Sequence, residues 1–274
     1  FCGVVGFKPS RDAIDRRGML VQSPTFDTVG LFARSVGAVR VLWKGLASAQ
    51  AVAQAEVQPQ SNTTSTESAV GAPSVAAPHG SAARAATIAE LAWIGTPWWD
   101  RISSADQTTL RAAAQAWSAV DSDDRLPIDL QALIDLHRLI MEGEIARSFA
   151  VEFDRGAAQL SESLQGQIQR GRATPDEQLL QAHKELMQMR QTFDRWMVEQ
   201  GVQAVVLPAA IGEAPIGLAS TGDPIMCTMA TALDLPAINL PGLKGAAGLP
   251  LGLQFVGRRG QDLALLDRVE RGPR

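Results

Sequence analysis

Cysteine and histidine are the residues of this chain that could bind a metal ion or serve as nucleophile and base. The sequence contains two cysteines and three histidines: Cys2, Cys227, His79, His137 and His183. The cysteines lie far apart, and no histidine has a ligand-type neighbour at helical spacing, so we predict no metal site. A thiol needs a nearby base to become a nucleophile, and the sequence places none beside Cys227. We therefore interpret Cys227 as a structural residue.

Two further patterns also favour structural roles. His137 lies near Glu142 and Glu144, but at helical spacing neither carboxylate shares its face well. A half-buried histidine is the expected outcome. The glycine-rich run at 242–248 lacks the Lys-Ser/Thr pair of a phosphate-binding loop, so it is interpreted as a turn between strands.

Helical periodicity marks the segments that must position any site. Apolar spacing predicts helices over 36–46, 104–120, from about 129 to 153, and from 174 to 200. Ser104 and Thr174 are the expected N-caps of the second and fourth. In the fourth helix the expected buried stripe comprises Leu179, Leu186 and Phe193, with Leu180, Met187 and Met197 beside them.

Short apolar runs bounded by glycine and proline indicate strands. They are predicted over 29–33, 86–94, 202–208, 236–241 and 251–256. Because helices separate several of these runs, we predict an α/β fold with a mixed, largely buried sheet flanked by helices. Residues 48–84 are rich in Ala, Gln, Ser, Thr, Pro and Gly, which predicts a low-complexity surface loop or linker.

Composition limits the classes of partner. The chain has 274 residues and a formal net charge of −4, so it lacks the basic surplus that nucleic-acid binding requires. Its apolar runs are too short to span a bilayer, so we predict no membrane insertion. Two cysteines cannot form a disulfide framework and fit a reducing compartment, which favours the cytoplasm.

The first 47 residues carry a specific family pattern. Residues 1–10, FCGVVGFKPS, resemble the stretch that directly follows the nucleophile motif in amidase-signature enzymes. In that family a glycine, a segment of the type Ser/Ala-Pro-Ser-Phe-Asp-Thr-Val-Gly and an Ala-Arg pair come next. Here Gly18, residues 22–30 (QSPTFDTVG) and residues 33–34 (AR) stand in the same order and at matching spacing.

The carboxy-terminal region agrees with the same family. Residues 204–208 (AVVLP) resemble one of its strands, 221–241 its late core, and 248–257 (GLPLGLQFVG) its closing strand. Residues 129–200 match more loosely, and 86–128 match weakly. The resemblance implies that residues 1–274 form the carboxy-terminal portion of an amidase-signature domain, incomplete at its amino-terminal side.

The resemblance also implies a chemistry. The family hydrolyses carboxylic amides with a Ser/cis-Ser/Lys triad, an oxyanion loop and no metal or organic cofactor. The triad and the oxyanion loop lie upstream of the Phe-Cys-Gly stretch, so no catalytic residue maps onto this sequence. Lys8, Lys44, Lys184 and Lys244 stand in other contexts than the family's base. We therefore expect the chain by itself to be inactive and poorly soluble.

Three residues are candidates for substrate contact by resemblance. Asp27 lies in a segment that runs beside the nucleophile loop in the family; the alternative is an aspartate that caps nearby backbone amides. Met226 and Cys227 belong to 221–228, which lies near the family's substrate cleft. Ordinary core packing would select the same residue types there.

Other functions remain open at this point. The glutamyl-tRNA amidotransferase A subunit belongs to the same family, but its Tyr-rich helix has no counterpart in 160–182, where tyrosine is absent. A non-catalytic member of the fold that serves as a scaffold or partner-binding surface is the alternative from another class. The expected partner is a small-molecule amide, and a homodimer is left open.

Overall fold

The structure is a computed structural model that describes residues 1–47 and 90–273. The linker predicted over 48–84 lies outside the described residues, as does the beginning of the strand predicted over 86–94. Both therefore remain predictions.

The described residues form seven strands in one mixed sheet. The strands are β1 (Val5–Lys8), β2 (Leu31–Ala33), β3 (Leu91–Trp93), β4 (Val120–Asp121), β5 (Ala204–Pro208), β6 (Ala237–Lys244) and β7 (Pro250–Gly257). Their order across the sheet is β2-β1-β6-β7-β5-β3-β4. Strand β3 pairs in parallel with β4 and β5, and the remaining pairs are antiparallel. The predicted α/β class with a mixed sheet is confirmed.

The helices within the described residues connect these strands and cover the sheet. They are α1 (Val36–Leu46), α2 (Ser104–Ala116), α3 (Leu130–Ser148), α4 (Ala150–Gly156), α5 (Glu162–Ala173), α6 (Asp176–Glu199), α7 (Ile225–Ala232) and α8 (Asp262–Glu270). Short 3-10 turns occur at Trp99–Arg101, Asp123–Arg125 and Ala157–Gln159. None of the described helices is long and apolar enough to cross a membrane.

The centre of the sheet is buried on both faces. All five residues of β5 are buried, so its apolar run is continuous rather than alternating. In the adjacent β7, Phe255 and Val256 are fully buried. The edge strand β2 differs, because its Phe32 side chain is 74% exposed.

Two predicted caps were wrong. Helix α2 is capped by Ser103, whose side chain accepts a hydrogen bond from the Asp106 amide; the predicted cap, Ser104, is already inside the helix. Thr174 ends α5 instead of capping α6, and its hydroxyl donates to the Arg170 carbonyl at 3.2 Å. In both places two consecutive residues are compatible with the N-cap position. The backbone geometry decides which of the two is the cap.

The predicted boundaries also needed correction in the helical region. The helix from 129 breaks after Ser148, and α5 was not anticipated at all. In α6, Leu179, Leu186 and Phe193 are buried as expected, but Leu180 and Met187 are 57% and 60% exposed. Each follows a buried residue by one position, which turns its side chain about 100° away from the core.

His137 on α3 lies half-buried against the ring of Phe26, with ring centroids 4.4 Å apart, as its sequence context predicted. Burial lowers the pKa of its imidazole from 6.5 to about 4. Between pH 6.5 and about pH 4 the imidazole of His137 is therefore protonated in the unfolded chain but neutral in the folded chain. The free energy of unfolding consequently falls as the pH falls through this range. We expect a loss of about 2 kcal/mol between pH 7 and pH 5.

Urea unfolding at the two pH values measures this loss. In His137→Leu the same pH change should cost about 2 kcal/mol less than in the wild type. Equal pH dependence in both proteins would show that His137 does not carry the effect.

Candidate functional site

A cavity of about 480 Å³ lies over one face of the sheet at its β2-β1-β6 end. Strand register explains which residues form its floor. Gly6 pairs with both Phe32 and Asn239, and Asn239 pairs with Gln254, so these four side-chain positions share one face. Lys8 lies two residues beyond Gly6 on β1 and projects to the same face. The floor thus combines an exposed aromatic ring, two amides and one ammonium group.

Helix α7 forms a facing wall of this cavity. Its lining residues Cys227, Ala230 and Thr231 are spaced by three and four positions, so they lie on one helical face. The segment 221–224 and Phe1 complete the rim. Gly222 has φ +92°, and a Cβ at this position would lie 2.5 Å from the Phe1 ring. The positive φ therefore favours glycine at this point of the rim, next to the Phe1 ring.

Most polar groups of the cavity already have partners. The Gln254 amide donates to the Met226 carbonyl at 2.8 Å, and the Asn239 amide donates to the Val4 carbonyl at 3.2 Å. Asp223 forms an ion pair with Arg101 at 2.7 Å. The Asn239 Oδ1 atom is buried and lacks a hydrogen-bond partner among the described residues.

Lys8 is the lysine that lines the cavity. Its Nζ donates to the Pro9 carbonyl at 2.9 Å. Burial lowers the pKa of the Lys8 ammonium to about 8, although Asp234 and Asp262 act in the opposite direction. At pH 7 the group still carries its positive charge.

Cys227 is reached by solvent through the cavity, yet protein atoms surround it on the remaining sides. This desolvation raises the pKa of the thiol above its ordinary value of 9.0. The side chain is therefore a neutral thiol at pH 7. Among the described residues that line the cavity, none is a histidine or another base suited to activate it.

Met226 lies in the hydrophobic core and does not line the cavity. Its side chain is 1% exposed, and its sulfur accepts a hydrogen bond from Thr96 Oγ1 at 3.7 Å. The sequence placed Met226 beside Cys227 as a cleft residue. Adjacent positions on a helix point about 100° apart, so only Cys227 faces the cavity.

Asp27 caps its own loop. Its Oδ2 accepts hydrogen bonds from the amides of Gln22 at 2.7 Å and Ser23 at 3.1 Å. Asp27 is not among the residues that line the cavity. Within the described chain it therefore acts on backbone conformation, and contact with a substrate remains a prediction.

Sequence reasoning missed three groups that the structure makes prominent. Lys8 and Asn239 are brought together at the cavity by the pairing of β1 with β6, which joins distant parts of the sequence. Glu144 on α3 holds the loop before Asp27, 119 residues away in sequence from Thr25. The available signal for Lys8 was the two-residue alternation with Gly6. No group of three or more metal-ligating side chains occurs among the described residues.

The sequence matches one family model over most of its length. The family model described as Amidase matches residues 1–91 and 102–266. No curated protein sequence matches the chain.

Solved structures share the fold across nearly the whole chain. An amidase crystal structure superposes with a TM-score of 0.69 at 20% identity, covering 98% of this chain and 57% of its own. A 6-aminohexanoate cyclic dimer hydrolase gives 0.65 at 20% identity, covering 98% and 60%. The Kluyveromyces lactis allophanate hydrolase gives 0.68 at 14% identity, covering 98% and 42%. This chain therefore spans less than two thirds of the length of these structures.

Proposed function

Because the chain belongs to the amidase family, we propose that it forms the carboxy-terminal part of an amide hydrolase. The cavity over β1, β2 and β6 is then one wall of the substrate site. The observation that carries this proposal is the position of Phe1 on the cavity rim. By resemblance, the nucleophile motif directly precedes the Phe-Cys-Gly stretch, so residues attached to Phe1 would enter this cavity.

The proposed reaction is attack on the carbonyl carbon of a small carboxylic amide. The preceding segment would supply a serine nucleophile, a cis-serine that relays its proton, a lysine base and the oxyanion hole. This chain would supply the apolar wall formed by Val4 and Phe32, and the rim at 221–224. Ammonia or an amine leaves as the serine becomes acylated, and water then hydrolyses the acyl-serine ester to release a carboxylate.

We propose further that residues 1–274 alone do not hydrolyse amides. The thiol of Cys227 is neutral at pH 7, and no histidine is among the residues that line the cavity. Lys8 carries its proton at pH 7, and Asp223 is paired with Arg101, so neither is suited to activate the thiol. The exposed Phe32 on β2 also supports this proposal, because an apolar side chain on an edge strand is normally covered by further polypeptide.

Other properties of the whole protein are proposals from the sequence. They are a cytoplasmic location, a small non-peptide amide as substrate, no dependence on metal or organic cofactors, and a homodimer as one assembly. The neighbouring structures act on chemically different amides by their names, so they do not select a substrate.

The DNA immediately upstream of the Phe1 codon tests this proposal. We expect it to encode a Gly-Gly-Ser-x-Arg-x-Pro-Ala-type run, an earlier Ser-Ser-Gly-Ser loop and a lysine before that loop. If other residues hold those positions, hydrolysis is excluded, and the non-catalytic scaffold or partner-binding role takes its place.

A further inference from the structure

The Lys8 ammonium is enclosed by protein and has few partners. Within the described residues it makes one hydrogen bond, to the carbonyl of its neighbour Pro9. A lysine ammonium has three N–H donors, so two are left for another acceptor. Buried charges in proteins are normally paired, because an unpaired charge is expensive to desolvate.

The carboxylates nearest to Lys8 are committed to other donors. Asp234 accepts from Arg259 Nη1 at 2.7 Å, and Asp262 accepts from the Ser10 hydroxyl at 2.7 Å. Both stabilise the charge on Lys8 without forming an ion pair with it. The Arg259 and Arg190 guanidinium groups oppose them and add positive potential at the same place.

The rest of the cavity is suited to an apolar group. The rings of Phe1 and Phe32 and the side chain of Val4 also line the cavity. The carboxylate that lines the cavity, Asp223, is neutralised by its ion pair with Arg101. Lys8 is therefore the charged lining side chain that is still available to a ligand.

We propose that this cavity binds a small organic carboxylate, with its anionic group on the Lys8 ammonium and an aryl or alkyl group against Phe32 and Val4. Binding by the chain itself does not require hydrolysis, so the inference is independent of the proposed function. If the proposed function also holds, the ligand class includes the acid product or an amide that carries a second carboxylate.

The charge on Lys8 gives the site a defined pH dependence. A carboxylate prefers the protonated ammonium, and with a pKa of about 8 that form falls from about 90% at pH 7 to about 10% at pH 9. Affinity should therefore fall about tenfold over this range. The groups that face Lys8 are Asp234, Asp262, Arg259 and Arg190. Since a Lys8 variant keeps all four, a comparison with the wild type isolates the contribution of Lys8.

Isothermal titration of the 274-residue chain with 3-phenylpropanoate tests the site, and 3-phenylpropanamide serves as the uncharged ligand of the same shape. The acid should bind at least about tenfold more tightly than the amide at pH 7, because its carboxylate carries a full charge opposite to that of the ammonium, whereas the amide is neutral. Lys8→Met should remove this preference and the pH dependence. Lys8→Arg should keep the acid preference but lose the pH dependence, because a guanidinium stays charged from pH 7 to pH 9. Lys44→Met, at an exposed position on α1, should match the wild type.

Equal affinity for acid and amide, or an acid preference that survives in Lys8→Met, would overturn the proposal. If Lys8→Met does not fold, Lys8→Arg decides the question, because it should keep the acid preference of the wild type and lose its pH dependence. Absence of binding by either ligand at millimolar concentration would also contradict it.

Discussion

Replacing Gly171 with alanine should destabilise the folded chain by about 3 kcal/mol or more. Gly171 lies where α5 crosses α3. A Cβ there would lie 2.0 Å from the Glu142 carbonyl oxygen and 2.7 Å from the Ala146 Cβ. The first of these is a backbone atom in the middle of a helix, so only a displacement of α5 as a whole could relieve the clash.

A displacement of α5 would also weaken the contacts that α5 makes with α3. Arg170 donates to both carboxylate oxygens of Glu142 at 3.0 Å, and Ile168 is fully buried in a small cluster with Ile145 and Phe149. Both features depend on the close approach at Gly171. Weakened packing of Ile168 adds to the cost of the clash.

Gly166→Ala is the matched control on the same helix. Its Cβ would lie 3.3 Å from Arg170 Nη1, an atom of an exposed side chain rather than of a neighbouring backbone. Alanine is the better helix former, so this variant should be about 1 kcal/mol more stable than the wild type. Urea denaturation followed by circular dichroism compares the two; similar free energies of unfolding for both variants would contradict the close helix crossing.

Glu144→Ala should cost about 3 kcal/mol, the second large effect. Glu144 is a buried carboxylate that accepts hydrogen bonds from the Ser23 hydroxyl at 2.5 Å, the Thr25 hydroxyl at 2.5 Å and the Thr25 amide at 3.0 Å. Its removal leaves these donors without their acceptor in a partly buried loop. Each unsatisfied buried donor costs about 1–3 kcal/mol. His183, 3.4 Å from the same carboxylate, also loses its partner.

The effect of Glu144→Ala should also be local. Hydrogen exchange of the Thr25 amide should accelerate more than exchange in the central strand β5, because the loop is released before the sheet unfolds. Glu185→Ala, on the exposed face of α6, should change stability by less than about 0.5 kcal/mol. Unchanged protection of Thr25 in Glu144→Ala would show that the carboxylate does not hold the loop.

Local patterns in the sequence predicted much of the fold. Helix α1 begins and ends where apolar spacing placed it, at Val36 and Leu46, and β5 ends at Pro208 as expected. Each of these two elements is specified by a single strong sequence pattern, helical apolar spacing in α1 and a continuous apolar run ending at proline in β5. Helix α5 has few large apolar residues, and its Gly171 contact depends on a neighbouring helix rather than on its own periodicity. Local propensity could not predict it for that reason.

The candidate site was less predictable because it is built from long-range register. The pairing of Gly6 with Asn239 joins residues from opposite ends of the chain, and only this pairing brings Lys8 to the cavity. The difference between Met226 and Cys227 required the exact helical phase of α7. Resemblance to the family indicated which segments lie near the substrate cleft, but the orientation of each side chain followed from the fold.

Release of ammonia or amine from a panel of small amides tests the central proposal most directly. The wild-type polypeptide beginning at Phe1 should be inactive, and the polypeptide extended by the residues encoded upstream should hydrolyse at least one amide of the panel. Replacing the serine of the upstream Gly-Gly-Ser run with alanine should abolish that activity. Hydrolysis by the Phe1 polypeptide, or none by a folded extended chain that keeps all three triad residues, would contradict the account.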